Sequence, residues 1–301
     1  MCTAHPWRKL KIAILGSGNI GTDLLIKVLR SPYLECCAFI GRNLASPGML
    51  KAHSLGVNVS ADGINYIINN PGCCDLVFDA TSAMSHSEHA PILKNLNKRV
   101  IDLTPAKIGL MCVPSVNIAD SISENNVNMV TCGGQASIPI AYAIGKTQSD
   151  VDYIEVVSSI SSRSAGPATR QNLDEYIKTT EDGLKAFSGA KKTKAILNLN
   201  PAEPCVDMQA TILAKVKHPD IPKLSEMLSP LVENIRKYVP GYEIIVGPMI
   251  ENNRIVVMVR VRGLGDYLPA YAGNLDIINC AAIAMAEEYA KVTSPELLET
   301  N

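Results

Sequence analysis

Six residues, Gly16-Ser17-Gly18-Asn19-Ile20-Gly21, constrain this 301-residue chain more than any other stretch. They follow a short apolar run, LKIAIL, and precede TDLLIKVLRS, whose apolar residues recur at helical spacing and which stops before Pro32. A G-x-G-x-x-G sequence between a strand and a helix is the setting in which that motif binds a dinucleotide. The first glycine permits a tight turn, and the second lets the backbone approach a pyrophosphate lying over the unpaired N–H groups of the helix N-terminus. An ordinary glycine-rich turn is the plain alternative. The βαβ pattern that follows argues for the dinucleotide.

The rest of the chain divides in two. Strand-like runs at 9–15, 34–40, 75–80, 99–103 and 127–131, with a helix over 88–97, alternate as in a doubly wound parallel sheet. After about residue 150, β-branched segments at 153–160, 195–199, 211–216, 242–246 and 255–261 are separated by two helices, 169–187 and 222–238. That half reads as a mostly antiparallel sheet covered on one side. The last helix, 274–290, carries IINCAAIAMA and must be buried, so it is expected to return to the first unit. The fold class is therefore α/β: a Rossmann-type dinucleotide-binding domain (8–132 plus 274–301) and a second α+β domain (133–273) for substrate and oligomerisation.

Composition narrows the function. A formal net charge of −1 provides no electrostatic footprint for nucleic acid or an anionic membrane. Apolar runs break well before the roughly 18 residues of a membrane helix, and no signal core precedes the first strand, so a cytoplasmic enzyme is expected. Nine cysteines invite a metal or disulfide reading. Their odd number, the adjacent pairs Cys36-Cys37 and Cys73-Cys74, and the lack of any C-x-x-C argue against both.

One cysteine differs from the others. Cys132 follows the strand VNMV, and Gly133 and Gly134 leave its sulfur open to a small planar group, with a helix expected to begin near Gln135. The helix dipole there is expected to lower the thiol pKa, and nearby backbone N–H groups are candidate oxyanion donors. A nucleotide-binding unit ending in a reactive thiolate implies addition to an aldehyde, hydride transfer to a nicotinamide and a thioester on the cysteine. At the end of the second strand, where NAD-binding folds place an acid, stands Gly41-Arg42-Asn43. Arg42 can pair with a 2′-phosphate, so NADP(H) is the expected preference within NAD(P); a solvated surface arginine is the alternative.

These residues resemble the acylating acetaldehyde dehydrogenases that partner 4-hydroxy-2-oxovalerate aldolases. The matching stretches include KIAILGSGNIGTDLLIKVLR, IDLTPAKIG, NVNMVTCGGQASIP, SSISSRSAGPATRQNLDEY and YLPAYAGNLDI, between about Lys11 and Ala282. The resemblance implies an acyl thioester on Cys132, with coenzyme A as acyl carrier. It implies dinucleotide contacts from Ser17, Gly18, Asn19 and Ile20, from Ser164, Ala165, Gly166, Pro167, Ala168, Thr169, Arg170, Gln171 and Asn172, and from Asn274. Three departures stand out. The family pattern Met-Arg-Asp-Thr is Met208-Gln209-Ala210-Thr211 here, so a carboxylate is lost and Asp207 is expected on the opposite face. A family histidine is Asp266, and the acidic ribose-binding residue is missing.

These departures keep other readings open: a phosphopantetheine thiol of an acyl carrier protein in place of coenzyme A, or a catalytically weak subunit supporting a partner enzyme. A phosphorylating semialdehyde dehydrogenase is a third, but it needs a histidine base. None of His5, His53, His86, His89 and His218 is placed beside the cysteine by sequence, and His86 and His89 are expected to cap or line a helix. A homodimer, with an aldolase or a carrier protein as possible partner and no metal, completes the expectation.

Overall fold

The structure is a computed structural model that describes residues 8–293; the side chains of Pro167 and Ala168 lie outside the described set, as do residues 294–301 of the expected first domain. Strand β1 (Leu10–Leu15) is apolar at nearly every position because it runs through the middle of a sheet covered on both faces. Helix α1 (Asn19–Arg30) follows, burying Leu24, Leu25 and Val28 and ending at Ser31, before Pro32. Strand β2 (Leu34–Ile40), helix α2 (Pro47–Ser54), the two-residue β3 (Val59–Ser60) and helix α3 (Ile64–Asn69) complete the first βαβ unit. Strand β4 (Leu76–Asp79), helix α4 (Ala83–Asn95), β5 (Arg99–Asp102), β6 (Leu110–Met111), helix α5 (Pro114–Ser121) and β7 (Asn126–Asn128) follow.

The strands pair in the order β3-β2-β1-β4-β5-β7-β6, all parallel. This is the expected Rossmann-type doubly wound sheet. The reversal beside β1 opens a crevice at the carboxyl ends of the strands, the usual ligand position in such sheets. Strands β3 and β6 are absent from the sequence expectation because two residues carry no periodicity.

Helix α6 (Cys132–Thr147) leads out of this sheet and is buried from Cys132 through Ala141. It packs against both the second sheet and the returning last helix, which is why it is apolar on every side. The second sheet contains β8 (Val151–Ser161), β9 (Lys192–Asn200), β10 (Met208–Val216), β11 (Tyr242–Glu251) and β12 (Arg254–Val261), ordered β11-β12-β10-β8-β9. All pairs are antiparallel except β8 with β9. Helices α7 (Pro167–Gln171) and α8 (Leu173–Ser188) replace the single helix expected over 169–187, and α9 (Ile221–Arg236) is the other. As expected, α10 (Gly273–Thr293) turns back to pack on α1 and α6. No described helix is long and apolar enough to cross a membrane.

Between α1 and α10 lies a buried ion cluster that no sequence pattern announces. Lys27 Nζ sits 2.8 Å from Asp23, 3.0 Å from Asp266 and 2.7 Å from Asp276. Arg30 also pairs with Asp266, the position where the resembling family has histidine. Burial alone would lower the Lys27 pKa, but the surrounding acids hold it above its ordinary value.

Candidate active site

The glycine turn forms for the reasons its sequence implies. Gly16 has φ +109°, and a Cβ there would run into the carbonyl of Ala80 just beyond β4, so only glycine fits between the two strands. Gly18 is the N-cap of α1 with no side-chain cap, and no acid occupies the first turn. Gly18 and Asn19 are exposed, Ser17 and Ile20 half-buried, and Gly21 packs inward. A Cβ at Gly41 would lie 2.6 Å from Ser17 Oγ, so the end of β2 abuts this turn. Arg42 therefore stands beside the turn, exposed and without an ion pair among the described residues. Asn43 Oδ1 accepts from the N–H of Ala45 and shapes the loop.

Cys132 is the first residue of α6, three positions earlier than the sequence implied for the helix start. Thr131 caps the helix by accepting from Gly134 N–H at 2.9 Å. The thiol borders a cleft that opens to solvent. Ile20, Leu103, Val130, Leu275 and Ile278 provide its apolar walls, and Thr81, Ser82, Thr104, Thr169 and Asn172 its neutral polar groups. No described histidine, lysine, arginine or carboxylate lines it.

Three expectations about Cys132 need correction. Burial pushes its thiol up rather than down, and the Tyr176 hydroxyl and the N–H groups of Gly133 and Cys132 offset only part of that. Of the first-turn N–H groups expected to serve an oxyanion, Gly133 N–H donates to the Tyr176 hydroxyl at 3.0 Å and Gly134 N–H is spent on the cap. Gly133 is small for a different reason than an open sulfur. A Cβ there would collide with Tyr176 Oη and lie 2.8 Å from Ser158 Oγ. Tyr176, from α8, is the residue that sequence reasoning missed, and its Oη is 3.6 Å from Cys132 Sγ. Nothing local distinguishes it from other tyrosines; only the packing of α8 on α6 brings it there.

The turn into Cys132 is held under strain. Val130, β-branched, adopts φ +59°, a conformation such residues rarely tolerate. Asn128 Oδ1 accepts from Val130 N–H at 2.9 Å, and Asn128 Nδ2 donates to Asp102 and to the Thr104 carbonyl, both at 2.8 Å. Burial lifts Asp102 to about 6 against the pull of His86, Thr104 and Asn128. His86 and His89 lie on α4 as expected, yet their Nδ1 atoms face Asp79 Oδ2 at 2.9 and 2.8 Å, so they belong to this carboxylate network. Ala210 is buried on β10 directly opposite Ser158, and Asp207 lies before that strand.

The segment from Ser164 to Asn172 is divided. Thr169 and Asn172 reach the cleft, whereas Ser164 Oγ donates to the Ser161 carbonyl and Ala165 is buried. Arg170 is tied to its own turn through Ala165 O and Ser162, and Gln171 is exposed. Gly166 has open space where a Cβ would stand, and Pro167 and Ala168 are fixed only as the start of α7. Asn274, at the start of α10, is buried, and both atoms of its amide lack a hydrogen-bond partner.

Two solved structures that share this fold are aspartate semialdehyde dehydrogenases. Aspartate semialdehyde dehydrogenase II from Vibrio cholerae, complexed with ASA, matches with a TM-score of 0.60 over 95% of this chain and 99% of that one, at 14% identity. The Candida albicans aspartate semialdehyde dehydrogenase with NADP matches with a TM-score of 0.62 over 93% and 100%, at 12% identity. At such identities the likeness speaks for the fold alone. Sequence relatives are more specific. An acetaldehyde dehydrogenase from Spirochaeta aurantia is 63% identical over 94% of this chain and 96% of its own, and one from Pectobacterium atrosepticum 56% identical over 93% and 95%. Residues 132–269 match the model for the prokaryotic acetaldehyde dehydrogenase dimerisation family. The chain belongs to the acetaldehyde dehydrogenase family.

Proposed function

We propose that this protein interconverts a short-chain aldehyde and its acyl thioester, using NAD(P) and a covalent thioester on Cys132. The observation that carries the reading is the position of that sulfur, at a helix N-terminus on a cleft at the carboxyl ends of a doubly wound sheet, next to the glycine turn.

The residues present fit a dinucleotide. The uncapped N-terminus of α1 offers N–H groups for a pyrophosphate, with open space where a Cβ of Gly18 would stand. The unpartnered buried amide of Asn274 is the kind of group that a bound ligand satisfies. Gly16, Ser17, Gly18, Asn19, Ile20 and Gly21 would form the phosphate side, Arg42 would favour a 2′-phosphate, and Thr169, Asn172 and Asn274 would hold the cleft side. Ser164, Ala165, Gly166, Arg170 and Gln171 belong to the same segment but are not among the residues that line the cleft. A bound nicotinamide would accept the hydride released as the aldehyde carbon is oxidised.

This chain's residues do the remainder. The Cys132 thiolate adds to the aldehyde carbon: the C–S bond forms and the carbonyl π pair moves to oxygen. After oxidation the acyl group remains on sulfur as a thioester. An incoming thiol adds to that carbon, and the bond to Cys132 breaks with the thiolate leaving. The apolar walls at Leu103, Val130 and Ile278 limit water that would hydrolyse the thioester. A phosphate acceptor would need cations, and the described lining has none, which favours a thiol, coenzyme A or a phosphopantetheine arm.

The family model's dimerisation label supports a homodimer built on the second domain. The proposed division at 132/133 and 273/274 keeps the strands of each sheet within one domain. An aldolase supplying the aldehyde and a carrier protein supplying the acyl group are the two partners this chemistry accommodates. A reducing compartment such as the cytoplasm, where cysteines persist as thiols, is the location proposed for a chain that depends on a free Cys132. The test is to incubate the protein with acetyl-coenzyme A without reduced cofactor and map the acetyl group by peptide mass spectrometry. Acetylation at Cys132, absent in Cys132→Ser, is expected; a protein that stays unmodified refutes the reading.

A further inference from the structure

We propose that the Tyr176 hydroxyl, backed by Ser158, is a catalytic group that donates a hydrogen bond to the Cys132 thiolate and thereby sets its reactivity. This deepens the function proposed above and rests on Cys132 being its nucleophile.

A buried thiol resists ionisation, and cysteine nucleophiles are ordinarily helped by a neighbouring histidine, cation or carboxylate-assisted base. None of these is among the described groups lining the cleft. Ala210, the cross-strand partner of Ser158 and so on the same face of the sheet, contributes a methyl group. From α8, α6 and β8 the polar groups that meet at the sulfur are the Tyr176 hydroxyl, the Gly133 and Cys132 N–H groups and, one step behind, the Ser158 hydroxyl.

Counting donors and acceptors then fixes the direction. The Tyr176 oxygen has one proton and two lone pairs. Gly133 N–H occupies one lone pair. While Cys132 is a thiol, its S–H can donate to the second, and the phenol proton points to Ser158. Once the sulfur is a thiolate it can only accept. Ser158 then donates to Tyr176, and Tyr176 donates to the sulfur. The chain of two hydroxyls reverses polarity without tyrosine losing its proton, and the proton released by Cys132 leaves through the cleft to solvent. Burial holds the Tyr176 phenol well above its ordinary pKa, so it remains the donor across the working range. Of the influences that oppose burial at Cys132, Tyr176 is the largest. The same bond stabilises the sulfur each time it leaves as a thiolate. Glycine at 133 follows from this arrangement, because a methyl group there would displace both hydroxyls.

The test measures Cys132 itself, apart from turnover. Iodoacetamide alkylation of the full-length protein is followed at the Cys132 peptide by mass spectrometry between pH 6 and 10, for wild type, Tyr176→Phe and Ser158→Ala. Tyr176→Phe is expected to move the apparent thiol pKa up by about one unit, which lowers the rate at pH 7 about tenfold. Ser158→Ala is expected to give a shift of the same sign, about threefold in rate at pH 7, from losing the backing donor. Dinucleotide affinity is expected to match wild type in both. A profile for Tyr176→Phe that overlays wild type overturns the proposal. If that variant does not fold, an unchanged profile in Ser158→Ala overturns it instead. An upward shift in a protein that never acquires an acyl group from acetyl-coenzyme A would refute the proposed reaction while leaving this role of Tyr176 standing.

Discussion

Lys27→Met isolates the ion cluster that locks α1 to α10. The lysine ammonium has three donors, and its three carboxylate neighbours at 2.8, 3.0 and 2.7 Å use them all. The carboxylate oxygens of Asp23, Asp266 and Asp276 lie within 4.8 Å of one another, so without the ammonium the one cation paired with these crowded acids among the described residues is Arg30 at the rim, with neutral donors left at Asn279 and Cys280. Deleting one partner of a buried ion pair costs about 3–5 kcal/mol, chiefly because charge is left uncompensated. At about 2 °C per kcal/mol for a chain of this length, the melting temperature is expected to fall by about 6–10 °C at pH 7. The pH dependence distinguishes this cause from simple loss of packing. In wild type, Asp266 is held below its ordinary carboxylate value: burial pushes it up, but Lys27 and Arg30 outweigh that. Its contribution is present above the unfolded value and is lost only as pH falls through the folded one. Lys27 is raised, so its contribution is complete below the unfolded lysine value and is lost only in strong alkali. Between pH 5 and 8 the contributions of Asp266 and Lys27 are therefore flat. In the variant, crowding raises the carboxylate pKa values above their unfolded ones, so acid should protonate an aspartate and restore stability. Calorimetric melts at pH 5, 6, 7 and 8, at fixed ionic strength, measure both effects. A deficit below about 2 °C at pH 7, or one that is as large at pH 5 as at pH 7, would refute the reasoning.

Asn128→Ala leaves Val130 N–H and the Thr104 carbonyl without their partner and should cost about 2–4 kcal/mol in chemical unfolding; a neutral result would mean the turn into Cys132 is held by packing alone. Arg42→Ala should erase most of a roughly ten- to hundredfold preference for NADP(H), measured as kcat/KM for both cofactors at fixed salt; a wild type that prefers NAD(H) would return Arg42 to the status of a surface residue. Coenzyme A should support aldehyde oxidation and phosphate alone should not, in parallel assays of reduced cofactor; efficient acyl phosphate formation would move the chain to the phosphorylating class.

Much of this protein is local and therefore legible in its sequence. Apolar runs, a glycine turn set between a strand and a helix, and a helix that stops before Pro32 all depend on neighbours within a few residues. Cys132 is legible for the same reason, since a strand followed by a glycine pair marks a helix start. What tertiary structure alone decided involves residues far apart in the chain. The protonation balance of Cys132 depends on Tyr176, 44 positions away, and the sequence argument from the helix dipole missed the larger effect of burial. His86 and His89 read as helix residues until folding brings them onto Asp79, whose own position is set by the sheet. The purpose of Gly133 reverses between the two views: open access to the sulfur in the sequence, room for two hydroxyls in the fold. Asp266 read as a departure from the family, and only its distance to Lys27 shows what it does. The physical reason is common to these cases. Backbone geometry and apolar periodicity follow from nearest neighbours, whereas pKa values, ion pairs and hydrogen-bond polarity depend on which groups packing brings within a few ångströms, after water has been removed.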